Sequence, residues 1–246
     1  MSPILLLSIV LQIGCAVHVI RTGRPMYWVF LLLIGSYIAV VIYLLAEVLP
    51  DMRNNPGARR AMRDAHNRID PARQKRQAAA QLDLADTADN RRRLAEESLR
   101  TGDFAHAEEL YGSALQGMYR TDPHLMLGMA QAQFGQGHAQ RARDTLDALI
   151  AANPEFRSSE GHLLYARSLE AMGDVPAALH EYEALVQGYP GEEARARYGL
   201  LLRHDGQTDK AHAVFAEILK RSNTSPAYYR RDQREWIDLA QRESRA

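Results

Sequence analysis

Four glycines spaced about 34 residues apart constrain the fold of this chain more than any other feature. They are Gly102, Gly137, Gly173 and Gly206, with spacings of 35, 36 and 33 residues. Five residues after each stands an alanine: Ala107, Ala142, Ala178 and Ala211. Large apolar residues follow four positions later, at Tyr111, Leu146, Tyr182 and Phe215. Three positions further on stand Ala114, Leu149, Leu185 and Ile218. Seven residues before each glycine stand Ala95, Ala130, Ala166 and Gly199. Similar residues thus recur at several fixed distances from each glycine, and we call this shared spacing the register. A shared register of this kind indicates an internal repeat.

Paired antiparallel helices explain this register. Small residues on both helices permit a close approach, and the glycine is expected to end the first helix in a left-handed conformation. Large apolar residues would fill the space between neighbouring hairpins. Prolines that cannot continue a helix, Pro123, Pro154 and Pro190, are expected to end the second helices.

A period near 34 with this order of residues resembles the tetratricopeptide repeat. The resemblance implies an all-α solenoid of four helical hairpins over residues 88–225. The tryptophan usual early in the first helix is replaced by Arg91, Met126, His162 and Arg195. Residues 226–246 are amphipathic, and we expect them to form a capping helix that docks through Trp236, because a solenoid needs its last repeat covered.

Two apolar stretches, Ile4 to Ile20 and Met26 to Leu45, begin the chain and are separated by five residues. A helix of roughly 20 apolar residues is long enough to cross a bilayer. The stretches are apolar on all sides, which argues against a buried hairpin of a soluble protein. Residues 1–50 are therefore predicted to be a two-helix transmembrane anchor, with helices at about 4–20 and 26–48.

Alternatives to an anchor are a cleaved signal peptide and a lipoprotein site at Cys15. The start, Met1-Ser-Pro, carries no basic side chain, which disfavours a signal peptide. Gln12 stands where a lipoprotein site has an apolar residue, and the apolar run continues past Cys15. The anchor is the preferred interpretation.

The stretch from Val17 to Pro50 supplies a second resemblance. Its His18-Val-Ile-Arg-Thr-Gly-Arg, Tyr27-Trp28 and Tyr43-Leu-Leu-Ala-Glu47-Val-Leu-Pro50 segments are similar to the N-terminal anchor of cardiolipin synthases and related phospholipase D proteins. The catalytic His-x-Lys motif of that family is missing, since no histidine is followed two residues later by lysine. The resemblance implies membrane attachment without that chemistry.

Residues 51–87 are predicted to be a basic helical linker. Between residues 51 and 80 stand eight basic and three acidic residues, whereas the loop between the apolar stretches has two arginines. Because basic residues accumulate on the cytoplasmic side, we expect an inner (plasma) membrane protein whose repeats are cytoplasmic. The linker is either a solvated spacer or a surface that attracts anionic lipid. It lacks the interleaved aromatic residues of a nucleic-acid site, so no nucleic-acid partner is expected.

The sequence offers no catalytic constellation. It has no serine elbow, phosphate loop or HExxH motif, and its nine histidines form no i, i+4 pair with a carboxylate ligand. Cys15 is the only cysteine, which excludes an internal disulfide. We predict no cofactor, no metal and no enzymatic activity.

The resemblance to tetratricopeptide repeats implies a groove for a protein or peptide, lined by the first helices. Polar residues assigned to that groove by register are Arg92, Glu96, His124, Gln131, Arg167, Arg197 and Arg203. Arg167 and Arg197 lie on adjacent repeats and predict a cationic stripe for an acidic ligand, one weakened by salt. The resulting hypothesis is a membrane-anchored scaffold or adaptor. The alternatives are a regulatory subunit of a lipid or envelope biosynthesis enzyme, and an enzyme with an unrecognised site.

Overall fold

The computed structural model describes residues 3–21, 25–34, 36–43, 46–47, 57, 70 and 72–245. The chain divides into two compact units, Met1–Pro71 and Ala72–Ala246. The described residues of both are helical or in turns, and the all-α class predicted from the sequence is confirmed.

The first unit contains three described helices: α1 (Pro3–Arg21), α2 (Tyr27–Ile34) and α3 (Ser36–Tyr43). Cys15, Val19, Trp28, Leu32 and Tyr43 belong to one buried cluster between them. The His18 ring has Nδ1 2.8 Å from the Tyr43 hydroxyl. Within the described residues, no helix combines the length and apolarity needed to span a bilayer. The two predicted transmembrane helices are therefore unsupported by the structure, and the end of the second, at residue 48, lies outside the described residues.

The second unit is a row of antiparallel hairpins preceded by one helix, α4 (Arg73–Leu84). Its first helices are α5 (Ala88–Arg100), α7 (Pro123–Gly135), α9 (Ser159–Ala171) and α11 (Glu193–His204). Its second helices are α6 (Phe104–Ala114), α8 (Ala139–Ala152), α10 (Val175–Leu185) and α12 (Thr208–Thr224). We call the hairpins repeats 1 to 4.

The repeated glycines end the first helices as predicted. Gly102, Gly137, Gly173 and Gly206 have φ between 78° and 83°. In repeat 1 the amide of Gly102 donates to the Leu99 carbonyl at 3.1 Å and the amide of Asp103 to the Ser98 carbonyl at 2.9 Å, and the corresponding pairs recur in the other repeats. These are Schellman caps, which satisfy carbonyl groups at the helix end and require a left-handed residue.

The other register positions form the core. The alanines five residues after each glycine are at most 1% exposed, and Tyr111, Leu146, Tyr182 and Phe215 at most 2% exposed. Gly199 takes the place of alanine in repeat 4 because a Cβ there would lie 2.7 Å from the Phe215 ring. The predicted helix-to-helix packing is confirmed at these positions.

The boundaries near repeat 1 differ from the sequence prediction. Pro123 begins α7 instead of ending α6, which stops at Ala114 and is followed by a 3₁₀ helix, Gly117–Tyr119. A proline is acceptable there because the first amides of a helix have no partner within it. In the stretch predicted as a linker, α4 instead packs on repeat 1, with Ala78 buried beside Leu94.

The predicted capping helix is two helices, α13 (Ala227–Asp232) and α14 (Arg234–Glu243), separated at Gln233. Ile237 and Ala240 of α14 are buried against Phe215 and Ile218, and Trp236 packs at the edge of this cluster. At the break, the Gln233 side-chain oxygen accepts the Glu192 amide at 2.8 Å.

Candidate functional site

The polar residues predicted for the groove separate into two sets. Arg92, Glu96, His124 and Gln131 line one cavity of about 350 Å³ between repeats 1 and 2. A second cavity of about 430 Å³ adjoins it through the shared residues Arg92 and His124. We call the residues lining both cavities the repeat 1–2 groove.

The floor of this groove is apolar. Leu99 and Leu127 line the smaller cavity together with Tyr111 and Gly128. The Tyr111 ring lies so close to α7 that a Cβ at Gly128 would be 2.3 Å from its Cζ atom. Gly128 is therefore needed for the ring to reach the groove from α6.

Tyr111 lines the smaller cavity although the residue is only 2% exposed, and its hydroxyl oxygen is not fully enclosed. Among the described residues it has no hydrogen-bond partner. Burial, with the nearby charge of Glu96, raises the pKa of Tyr111 to about 12. The phenol is therefore protonated at neutral pH and can both accept and donate a hydrogen bond.

Carboxylates outnumber cations around the groove. Asp89, Glu96, Asp122 and Glu160 line one or other cavity, and Arg92 is the one arginine among the lining residues. The Arg92 guanidinium is 2.8 Å from Asp89 and 2.5 Å from Glu96, so its charge is already balanced. Asp89 also lies 2.9 Å from Arg93, so the four carboxylates and the two guanidinium groups leave a net charge of −2 when His124 is neutral.

The second set, Arg167, Arg197 and Arg203, does not line the repeat 1–2 groove. Arg167 lies over the Phe134 ring at 4.8 Å, and Arg197 over the Trp236 ring at 5.3 Å. The Glu193 carboxylate is 3.7 Å from Arg167 and 2.8 Å from Arg197. The predicted cationic stripe therefore has the Glu193 carboxylate between its two members, and the acidic ligand expected from it is unsupported by the structure.

Arg203 belongs to the junction with the terminal helices. Its guanidinium contacts the Glu243 carboxylate and donates to the Glu243 main-chain carbonyl at 2.8 Å. The repeat register assigned Arg203 to the groove. The register could not show that this position is covered by a helix that comes 40 residues later in the chain.

Sequence reasoning missed Tyr111, Gly128 and Glu160 as groove residues. Tyr111 was assigned only to the core, and the register does not indicate which way a hydroxyl points. Gly128 was the available signal: a glycine inside a helix lowers its stability and suggests a close contact. The corresponding residues in the other repeats are Arg93, Leu164 and Arg197.

A third cavity, of about 530 Å³, lies between repeats 2 and 3. Its walls include Leu146, Ile150 and Phe156, and its rim holds His162 and Glu181, which are 2.8 Å apart. Within the described part of the chain, no cluster of three or more metal-ligating side chains is found. The lining is mostly apolar and its carboxylates are paired, Asp147 with Arg143 and Glu181 with His162, so this cavity is a weaker candidate than the repeat 1–2 groove.

Comparison with known proteins agrees with the hairpin architecture. Two family models, each described as tetratricopeptide repeat, match residues 98–168 and 163–226. A thermophilic tetratricopeptide repeat protein of Thermus thermophilus has a similar structure, with a TM-score of 0.53 and 18% identity over 75% of this chain and 93% of that one. No curated protein matches the chain. Residues 98–226 are therefore tetratricopeptide repeats, and the structural likeness, at this identity, concerns the fold alone.

Proposed function

We propose that the protein binds a protein or peptide partner in the repeat 1–2 groove. A tetratricopeptide repeat array is a scaffold suited to protein binding, and the groove is the place where polar side chains of successive first helices converge on one cavity. The observation that carries the proposal is the adjacency of Arg92, Glu96, His124 and Gln131 above an apolar floor. Binding rather than turnover of a substrate is the proposed activity.

A steric block tests the groove without changing its charge. In Gln131→Trp, the larger side chain should fill the cavity and reduce recovery of a groove-bound partner roughly tenfold, the effect of losing about 1.4 kcal/mol of binding free energy. Gln140→Trp is the matched control, because Gln140 is exposed on α8 and lines neither cavity. The measurement is quantitative mass spectrometry of proteins that co-purify with the full-length chain.

The pattern of losses decides the outcome. A partner that is lost with Gln131→Trp and kept with Gln140→Trp supports the groove, provided that both variants keep the helical circular dichroism of the wild type. Equal recovery of every partner with both variants would show that the groove is not used.

We further propose that residues 1–50 hold the protein at the inner membrane, with the repeats on the cytoplasmic side. The two apolar stretches and the eight basic residues between residues 51 and 80 support this. A membrane-bound partner would meet the groove at a raised local concentration, so a modest affinity would be sufficient.

Reporter fusions test this orientation. Alkaline phosphatase fused after residue 80 should be inactive, because that enzyme requires export, whereas a fusion within residues 21–25 should be active. Cell fractionation should find the full-length chain with membranes. Strong activity of the fusion after residue 80 would refute the orientation, and a freely soluble chain would refute the anchor.

A further inference from the structure

We infer that the ligand of the repeat 1–2 groove is a basic peptide segment, one lysine or arginine side chain of which enters the cavity above Tyr111. The inference rests on the proposed function and specifies its ligand. It reverses the acidic ligand expected from Arg167 and Arg197.

Charge is the first argument. The groove carries a net charge of −2 when Arg93, the second partner of Asp89, is counted, and its lining arginine, Arg92, is already paired with Asp89 and Glu96. A negative peptide would bring more carboxylates to this surface, at a cost in free energy, whereas a positive one would complete its charge balance. Glu160, exposed on α9, brings a carboxylate to the smaller cavity from the neighbouring repeat.

The unpaired hydroxyl of Tyr111 is the second, independent argument. The ring is buried, but the hydroxyl oxygen is not fully enclosed by the protein, so it is open to a hydrogen-bond donor from a bound ligand. Tyr182, at the same register position in repeat 3, donates to the Glu170 carboxylate at 2.6 Å. Leu99 stands where repeat 3 has Glu170, so repeat 1 supplies no such acceptor.

A lysine or arginine side chain would supply both the positive charge that the groove lacks and a hydrogen-bond donor for the Tyr111 hydroxyl. Its aliphatic stem would lie against Leu99 and Leu127, and its N–H groups would donate to the Tyr111 hydroxyl and to the carboxylates of Glu96 and Glu160. Lysine and arginine stems bury readily on apolar surface while the charged end finds polar partners. A carboxylate oxygen already bonded to Arg92 has further lone pairs for a second donor.

Two tyrosine-to-phenylalanine variants form a crossed test. Tyr111→Phe removes a hydroxyl that faces the groove, so affinity for a basic peptide should fall about tenfold while the melting temperature stays unchanged. Tyr182→Phe removes a hydroxyl that Glu170 already pairs, so the melting temperature should fall while affinity stays unchanged. Each variant controls for the other, since both make the same chemical change.

The probes are three labelled dodecapeptides of alanine and serine that carry three lysines, three glutamines or three glutamates. Binding to the full-length protein in nonionic detergent is followed by fluorescence anisotropy. We expect the lysine peptide to bind best, added salt to weaken it, and Glu160→Gln to weaken it a few-fold with a shallower salt dependence.

Each outcome gives a decision. Equal affinity of Tyr111→Phe and wild type for the lysine peptide overturns the role of Tyr111. Tighter binding of the glutamine or glutamate peptide overturns the charge preference, and binding of none of the three overturns the inference. The proposed function is judged separately, because the Gln131→Trp block acts on a ligand of any charge.

Discussion

The two buried tyrosines Tyr111 and Tyr182 illustrate how one residue type serves different purposes at one register position. Both rings fill the space between hairpins, and burial raises the pKa of both phenols. The hydroxyl of Tyr182 is paired with Glu170, whereas Leu99 and Gly128 leave that of Tyr111 facing the groove. The repeat register therefore determines that both rings are buried. The partner of each hydroxyl depends on neighbouring residues, such as Leu99 and Gly128, that differ from one repeat to the next.

Gly128→Ala should destabilise the protein by about 1–3 kcal/mol, because the new methyl group would overlap the Tyr111 ring. Gly112→Ala is the control: Gly112 is exposed within α6, nothing lies within 4 Å of its Cβ position, and alanine should stabilise the helix by roughly 0.5–1 kcal/mol. Urea unfolding of both variants gives the two free-energy changes. Changes of the same sign would contradict the close approach of Tyr111 to α7.

At the scale of elements, the terminal helices are fastened to repeat 4 by a buried carboxylate. Glu192 is fully buried, and its oxygens lie 2.7 Å from the Tyr229 hydroxyl, 3.1 Å from Arg221 and 3.4 Å from Arg195. One residue thus joins α11, α12 and α13. A buried ion pair contributes little net stability compared with apolar packing, but removing one partner leaves the other charge without compensation.

Glu192→Ala should therefore cost about 3–5 kcal/mol, since the buried Arg195 would keep only the more distant and exposed carboxylate of Glu217, at 3.9 Å. The adjacent Glu193→Ala should cost no more than about 1 kcal/mol, because Glu193 and its partners Arg167 and Arg197 are partly exposed. Thermal and urea unfolding measure both. Similar costs for the two variants would contradict the fastening role of Glu192.

The elements also show where sequence reasoning succeeds. Hairpin positions follow from the glycine and alanine register, because those residues are fixed by local backbone geometry and close helix contact. The start of α7 at Pro123 had a local signal that the prediction did not use, because Asp122 caps the helix and proline is favoured in its first turn. The break at Gln233 had no such signal, and the contact made there, from the Glu192 amide to the Gln233 side chain, joins residues 41 positions apart.

For the molecule as a whole, the fold of the repeats was predictable and the character of the groove was only partly so. Four of seven predicted residues line the repeat 1–2 groove, because first-helix faces follow from register. The charge preference did not follow, because it depends on pairs that only the fold brings together, such as Glu193 between Arg167 and Arg197. The transmembrane helices and the cytoplasmic location stay predictions.

The glycine caps have a consequence for how such a chain can change in length. Each cap is closed by main-chain bonds inside its own hairpin, and the distance from glycine to alanine is five residues in all four repeats. The spacings of 35, 36 and 33 residues differ outside this constant stretch, and the longest belongs to the repeat whose second helix has 14 residues where those of repeats 1 and 3 have 11. A hairpin is thus a self-contained module that duplication or deletion of gene segments can add or remove, while the junctions between modules keep the features that make each copy different.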